Sequence, residues 1–327
     1  VITTFTANPS VDRAASLPGE LVRGGVLRLG DVRDDPGGKG VNVAKVITMA
    51  GVEATAVLPM GAQDPLRPLL QQAGVRAAEH TTEHPVRTNL TITEPDGTTT
   101  KLNEPGATLT GSDVAALEEL LVQQAAGSRW VALCGSLPPG APTDWYARLV
   151  PRLRAAGTRV AVDTSDAPLV ALAEAFPEAA PDLMKPNAEE LTQLGGGDPE
   201  ELESAAAAGD HAPTVAAARR LMERGVGAVL TTLGGSGAVL TTADGAWFAA
   251  APRITVRSTV GAGDSALSGY LLGSLRGLAE PQRLALAVAY GSAAAQLPGT
   301  GLPTPEHAGL AGDGTATDIT ASAISTG

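Results

Sequence analysis

The sequence predicts an α/β fold, a mostly parallel sheet covered by helices on both faces. Two observations predict it. Short apolar runs of strand length alternate with amphipathic helical stretches along most of the chain, joined by short connections. The 327 residues are 43% hydrophobic, enough to bury one large core or two smaller ones.

The elements follow in order. Residues 1–7 are a buried first strand that ends at Asn8-Pro9. After Gly40 a helical pattern runs through Val41, Val43, Ala44, Val46 and Ile47, stops near Gly51, and residues 54–58 return as a strand. Residues 114–122 are an amphipathic helix with Ser112 or Asp113 as its N-cap. Residues 130–134 are a strand, 143–155 a helix and 159–163 a strand. A helix starts at Asn187 and runs to 194, and another covers 214–224 before a strand at 228–232. The stretch GAVLTTADGAWFAA is a hairpin turning at Asp244-Gly245, and helices at 263–276 and 281–296 close the core. Two segments break the rhythm. Residues 17–32 and 88–102 read as strands without intervening helices, the second turning at Asp96-Gly97, and they predict a small extra sheet. Residues 195–213, rich in Gly, Ala and acidic side chains, read as a surface insertion. Residues 310–327 hold few large apolar side chains and read as a flexible tail after a domain of residues 1–309.

Composition excludes several classes of function. The formal net charge is -12 and no basic patch stands out, which argues against nucleic acid as a partner. Any phosphorylated ligand must then be met by cations concentrated locally, and Lys39, Lys45, Lys101 and Lys185 are the only lysines. Cys134 is the single cysteine, so neither an internal disulfide nor a thiolate metal site is available. His80, His84, His211 and His307 lack metal-ligand spacing. No apolar run reaches membrane-spanning length, and the opening VITTFTANPSVD has no basic signal-type segment. The expectation is a soluble cytoplasmic protein without a membrane partner.

Four polar, mostly glycine-bearing segments carry the candidate chemistry. In STVGAGDSALSG, Gly261, Gly263 and Ala266 spell G-x-G-x-x-A, a dinucleotide pattern. Its position late in the chain, with only Glu280 as an acid about twenty residues on, argues against that use. The glycines instead expose backbone N–H groups at a helix start, which makes an anion hole. Asp264 there is either a base that takes a proton from an attacking hydroxyl or an N-terminal cap stabilised as the carboxylate. The second segment, DPGGKGVN, is not a Walker A loop, because Gly40 rather than Ser or Thr follows Lys39. Gly37, Gly38 and Gly40 permit close approach of a ligand, Lys39 offers a charge to phosphate, and Asn42 can both donate to and accept from sugar hydroxyls. A turn with a solvated lysine reads equally simply. The third, ANPSVD, places Asp12 just past the first strand, as a sugar-hydroxyl acceptor or as a turn residue. In the fourth, KPNAEE, Asn187 and Glu190 face one site across a helix start. They suit a metal–water–phosphate network, and they equally match a capping box.

The order NPSVD, GGKGVN, CGSLPPG, KPNAEE, TTLGGSGA, STVGAGDS resembles the ribokinase-like carbohydrate kinases, the PfkB family, over about residues 1–302. The pieces GGKGVN, RTNL, KLNEPG and GSLPPG point to its phosphosugar branch. The resemblance implies a Rossmann-like core with a small β-sheet lid built from about residues 17–32 and 88–102, and a homodimer clasped through that lid. It implies ATP-dependent, Mg²⁺-assisted phosphorylation of a phosphosugar, D-fructose 1-phosphate at its 6-hydroxyl. A sibling reaction on fructose 6-phosphate or tagatose 6-phosphate, or a non-catalytic sugar-phosphate module, is the alternative. Asp264 matches the family's base, and the amides of Gly261, Ala262 and Gly263 its anion hole. Asp12, Gly37, Gly38 and Asn42 match sugar contacts. Lys39 and Arg87 match partners of the substrate's own phosphate, with Arg28 reaching it from the second subunit; Asn89, Glu104 and Ser136 are further candidates. Asn187 and Glu190 match the N-x-x-E motif, Glu190 acting on Mg²⁺ through water. Lys185, Thr232, Gly234 and Gly237 match nucleotide-side positions, and Thr259 and Val260 lead into the anion hole. The 195–213 insertion has no counterpart in the family pattern, and the late helix, GSAAAQLPGT, lacks an asparagine that some relatives carry near the nucleotide.

Overall fold

The structure, a computed structural model, describes residues 1–311 and 315–320. The chain opens with β1 (Ile2–Thr6), β2 (Ser10–Ser16) and β3 (Val32–Gly37), then α1 (Lys39–Met49), β4 (Ala54–Gly61), α2 (Leu66–Gln72) and β5 (Arg76–Thr82). The hairpin β6 (Arg87–Thr93) and β7 (Thr99–Asn103) precedes α3 (Gly111–Ala125), β8 (Trp130–Cys134), α4 (Trp145–Ala155), β9 (Arg159–Asp163) and α5 (Asp166–Glu174). Next come β10 (Leu183–Met184), α6 (Ala188–Gly195), α7 (Pro199–Ala207), α8 (Ala212–Glu223) and β11 (Ala228–Thr232). The chain closes with β12 (Gly237–Thr242), β13 (Gly245–Ala250), α9 (Ala262–Leu275), α10 (Glu280–Gln296), α11 (Pro305–Leu310) and β14 (Ala316–Asp318).

The large sheet has the order β14-β13-β12-β11-β10-β9-β8-β1-β4-β5. From β5 to β11 every pairing is parallel; β12, β13 and β14 extend the edge antiparallel. The central strands β1, β4 and β8 are buried along their whole length because helices cover both faces. β8 shows how side-chain alternation feeds two cores. It sends Trp130, Ala132 and Cys134 into one core, with α1, α9 and α10. It sends Val131 and Leu133 into the other, with α3, α4 and α8. Phe5 of β1 anchors the second core edge-on against Trp145, ring centres 5.1 Å apart. The chain winds outward from β1 to β5 and then returns to the other side of β1 at β8, so the direction switches between these two neighbours. A crevice at the carboxyl ends of strands beside such a switch is where open α/β sheets bind ligands.

A second sheet has the order β3-β2-β6-β7, with β2 and β6 parallel and the outer pairs antiparallel. The expected hairpin at 88–102 is β6 and β7, its turn held by the Thr98 N–H donating to Asp96 Oδ1 at 2.8 Å. The expected strand at 17–32 is a correction. Those residues are a largely exposed connection, and only Val32 enters a strand; the lid strands are β2 and β3 on either side. Gly19, Gly24, Gly25 and Gly30, with Pro18, interrupt any ladder there. The polar run SVDRAAS becomes a strand because β3 and β6 pair with both its edges, tertiary pairing overriding local preference.

Two further expectations shift and a third gains detail. Thr110, not Ser112 or Asp113, caps α3: its hydroxyl accepts from the Asp113 N–H, and Asp113 accepts from the Thr110 N–H. Residues 195–213 lie largely at the surface and hold α7, which buries Leu202 and Ala206, and His211, which stacks on Phe248 with ring centres 3.7 Å apart. The tail expected at 310–327 contains β14, which pairs with β13 and is fastened where the Ala246 N–H donates to Thr320 Oγ1 at 2.9 Å. The expected domain limit at 309 falls inside α11, and the rest of the expected tail, 312–314 and 321–327, lies outside the described residues. Among the described residues no helix is long and apolar enough to cross a membrane.

Candidate active site

Strands β1, β8, β9, β10 and β11 run parallel, so their carboxyl ends lie at one edge of the sheet. Asp163, the last residue of β9, is 1% exposed and holds two lysines. Lys39 Nζ donates to Oδ1 at 2.8 Å, and Lys185 Nζ lies 3.2 Å from Oδ2. Burial alone would raise the Asp163 carboxyl; Lys185 and Lys39 overcome it and hold it below the usual carboxylate range. Lys39 is correspondingly held above its usual value, by Asp163 first and against burial, with Asp264 and Glu190 adding to the pull.

Above this triad α9 begins. Gly261 is its left-handed cap, φ 74°, a conformation glycine adopts without strain. The first N–H groups of a helix have no partner within it, and they carry its positive end. The expected anion hole would use the amides of Gly261, Ala262 and Gly263, of which the Ala262 N–H already donates to Thr259 O at 3.3 Å. Lys185 stands beside the same helix start, its Nζ 3.2 Å from where a Cβ on Gly263 would stand. Val260, leading in, donates its N–H to Ser258 Oγ at 3.2 Å.

Asp264 follows, 6% exposed, its Oδ2 accepting from Asn42 Nδ2 at 2.8 Å. Read as a cap, this carboxylate would be stabilised by the helix start. Burial wins instead: with the charge of Asp163 it pushes the Asp264 carboxyl up to about 6, against Lys39, Asn42 and Lys185. A carboxylate with that value is still ionised at neutral pH and is well matched to accept a proton.

The sugar-side candidates divide into two groups. Asp12 Oδ1 accepts from Ser10 Oγ at 2.7 Å and from Asn89 Nδ2 at 3.0 Å. Gly37 packs against it so closely that a Cβ there would lie 2.3 Å from the carboxylate carbon. Gly37→Ala therefore displaces Asp12, and we expect a stability loss of about 1–3 kcal/mol together with a raised sugar KM and an unchanged ATP KM; urea denaturation and steady-state kinetics in both substrates check it. Gly38, φ 107°, starts α1 and delivers Lys39 and Asn42 inward. In the second group, Arg87 donates to Glu104 O at 3.1 Å and to Asn8 O at 3.2 Å, while its buried Nε has no partner among the described residues. Burial lowers the Arg87 pKa, while Asp12 and Glu104 pull the other way. Glu104 Oε2 accepts from the Thr88 N–H at 2.8 Å. Arg87 and Glu104 line a cavity of about 390 Å³ together with His84. Ser136 stands 3.5 Å from Asn8 Nδ2.

Lys39 joins Asp163 and lies in the field of Asp264. Asn42 donates one amide hydrogen to Asp264, a bond that uses neither its Oδ1 nor its second N–H hydrogen. Arg28 lies exposed in the 17–31 connection. Asp163 escaped the sequence reading altogether; the available signal was an acid ending the apolar strand RVAVD.

On the opposite side Asn187 and Glu190 form a complete capping box, with the Asn187 N–H donating to Glu190 Oε2 at 2.9 Å and the Glu190 N–H to Asn187 Oδ1 at 2.8 Å. Thr232 bridges to Asn187, and its N–H donates to Pro186 O at 3.0 Å. Gly234 opens a single 3₁₀ turn that Gly237 closes. Among the described residues no three His, Cys, Asp or Glu side chains gather to hold a metal by themselves. Burial raises the Glu190 pKa, a cost that a nearby cation would relieve. One carboxylate with an amide oxygen fits a hard divalent cation that keeps waters and phosphate oxygens as its other ligands.

A buried carboxylate at the start of a helix, with two lysines held by Asp163 close by, suits a small-molecule kinase on a ribokinase-like fold. The sequence profile of the pfkB family carbohydrate kinases matches residues 7–307, and the chain belongs to that family. It is 37% identical over 269 residues to the 1-phosphofructokinase of Xanthomonas campestris pv. campestris, covering 81% of each chain. It is 36% identical over 313 residues to that of Rhodobacter capsulatus, covering 94% of each. Among solved structures it is similar to Escherichia coli phosphofructokinase-2 in complex with fructose-6-phosphate, with TM-score 0.80, 27% identity, and 94% and 97% of the two chains covered.

Proposed function

We propose that the protein transfers the γ-phosphoryl group of ATP to the 6-hydroxyl of D-fructose 1-phosphate, giving D-fructose 1,6-bisphosphate and ADP. The observation that carries the kinase chemistry is Asp264, buried at the start of α9 with its carboxyl pushed up to about 6. It takes the proton of the attacking hydroxyl as the new P–O bond forms. The amides at the start of α9, with Lys185 and Lys39, balance charge on the phosphoryl group in flight. Asp163 keeps both lysines in place. Asp12, braced by Ser10 and Asn89, aligns sugar hydroxyls. Asn187 and Glu190 would hold Mg²⁺ through water, and that ion would neutralise triphosphate charge. The pfkB family profile supports a carbohydrate acceptor, and the relatives bearing the 1-phosphofructokinase name support fructose 1-phosphate as that acceptor. The rival acceptor, fructose 6-phosphate, is the one bound in the Escherichia coli structure, at lower identity.

Arg87 is our partner for the substrate's own phosphate, with its unpaired Nε and the adjoining cavity as support. Arg87→Ala removes a half-buried charged donor that would pair with the phosphate, a loss of roughly 2–5 kcal/mol. The expected result is a sugar-phosphate KM raised on the order of 10²-fold, with the ATP KM close to that of the parent. An unchanged sugar-phosphate KM places that phosphate elsewhere.

We also infer a cytoplasmic homodimer joined through the small sheet. Leu21, Val22, Val26, Leu27, Leu29 and Leu102 are exposed there, more apolar surface than an isolated lid would keep in water. Light scattering reads twice the 32.8 kDa chain mass if this holds, and the single mass if it does not.

ADP release measured with fructose 1-phosphate, fructose 6-phosphate, tagatose 6-phosphate and free fructose tests the substrate. The highest kcat/KM on fructose 1-phosphate supports the proposal; preference for another sugar moves the assignment to a sibling reaction. No ADP release with any of them overturns the kinase reading.

A further inference from the structure

Asp35 is a buried carboxylate that none of the steps above uses. It sits on β3 two residues before Gly37 and is 6% exposed. Arg33 on the same strand donates to Oδ1 at 2.8 Å. The Thr300 hydroxyl donates to Oδ2 at 2.7 Å, from 265 positions away in sequence. Thr300 lies in the connection between α10 and α11. Two residues on, Leu302 is buried in the core, and its Cδ2 lies 2.7 Å from where a Cβ on Gly261 would stand. One hydrogen bond therefore joins two segments that lead straight into the site. β3 runs on through Gly37 and Gly38 into Lys39, and the Thr300 segment packs against the residue that opens α9.

We propose that Asp35 and Thr300 are a positioning pair, fixing the sugar-side glycines relative to the phosphoryl-transfer helix. The proposal rests on the kinase reading above. Neither residue touches the reacting atoms. The pair acts through Gly37–Asp12 on one side and Leu302–Gly261 on the other. In-line transfer needs both sides in register, and a displacement of about 1 Å costs on the order of 10²-fold in rate. A local cap or turn bond would join neighbours in sequence; this one joins the lid to the far end of the chain.

Thr300→Val keeps the side-chain shape and removes the donor. The expected result is kcat lowered about tenfold or more, with the ATP KM within about twofold and the thermal midpoint close to that of the parent. Thr300→Ser, which restores the hydroxyl, recovers most of the lost kcat. Deuterium exchange at the amides of 259–263 is faster in Thr300→Val than in the parent and returns with Thr300→Ser. That exchange reads the coupling without turnover, whereas failure of the kinase reading shows as no ADP release by the parent protein. Parent-like kcat and exchange in Thr300→Val overturn the proposal. So does a Thr300→Ser variant as impaired as Thr300→Val, which would assign the effect to the threonine methyl.

Discussion

Asp264→Asn lowers kcat by roughly 10²–10⁴-fold while the KM values for sugar phosphate and ATP stay close to those of the parent. The amide keeps the size of the carboxylate and can still accept from Asn42, so the pocket is preserved. What it lacks is the ability to take the hydroxyl proton. Equal loss in kcat and kcat/KM marks an interaction made only in the transition state. The parent's pH profile supplies an independent check. With the Asp264 carboxyl pushed up to about 6, kcat/KM falls below that pH as the base becomes protonated, and Asp264→Asn loses that limb. Stability moves in the opposite sense to activity. The folded carboxyl lies above its ordinary value of 3.8, so the fold binds the proton more tightly than the unfolded chain does. The cost of ionising it is absent below 3.8, grows between there and about 6, and is complete above. Asp264→Asn is thus more stable than the parent at pH 8, and the difference shrinks toward pH 4. A thermal midpoint lowered at pH 8 would contradict this reading of the site.

Asp163→Ala has the larger effect on folding. Removing the shared partner takes away the carboxylate that pairs directly with both Lys39 and Lys185, leaving them only the more distant charges of Asp264 and Glu190, and Lys185 is 5% exposed. Breaking a buried ion pair from one side typically costs about 3–5 kcal/mol. Urea denaturation should show a loss of that order. The triple change Asp163→Leu, Lys39→Met, Lys185→Met removes all three charges together and recovers much of the stability, without recovering turnover. The milder Asp163→Asn has a distinctive signature. The charge of Asp163 helps raise the Asp264 pKa, so the acid limb of kcat/KM moves to lower pH. A limb that stays near 6 in Asp163→Asn would mean that burial alone sets the Asp264 value.

The legible parts of the fold were those dictated by local pattern. β8, β9 and β11 are apolar runs bounded by polar or glycine-rich breaks, and the structure has them at the expected residues. The helix after Gly40 and the helix after Gly261 were equally clear. The lid was misplaced because β2 is polar, SVDRAAS, and acquires its strand form only by pairing with β3 and β6. β14 was missed for a related reason: three residues carry no pattern of their own and are ordered by the edge of β13. In the candidate site, the residues that sequence could nominate lie inside glycine-rich motifs, because such motifs announce a backbone that can approach a ligand. Asp163 was not nominated, since it stands alone at a strand end and gains its meaning from two lysines 124 and 22 positions away. The same distance effect governs Lys39: its neighbours in sequence suggest a sugar-phosphate contact, and its neighbours in space include Asp163 and Asp264. The sign of the Asp264 shift also lay beyond sequence, because it depends on burial outweighing the helix start.

Phosphorus NMR of a reaction containing the protein, ATP, Mg²⁺ and fructose 1-phosphate tests the central claim most directly. The account predicts a new phosphate monoester on carbon 6 of the sugar, growing in step with ADP while the ester on carbon 1 persists. ADP accumulating without that ester, or a new ester appearing only when fructose 6-phosphate is supplied, would contradict it.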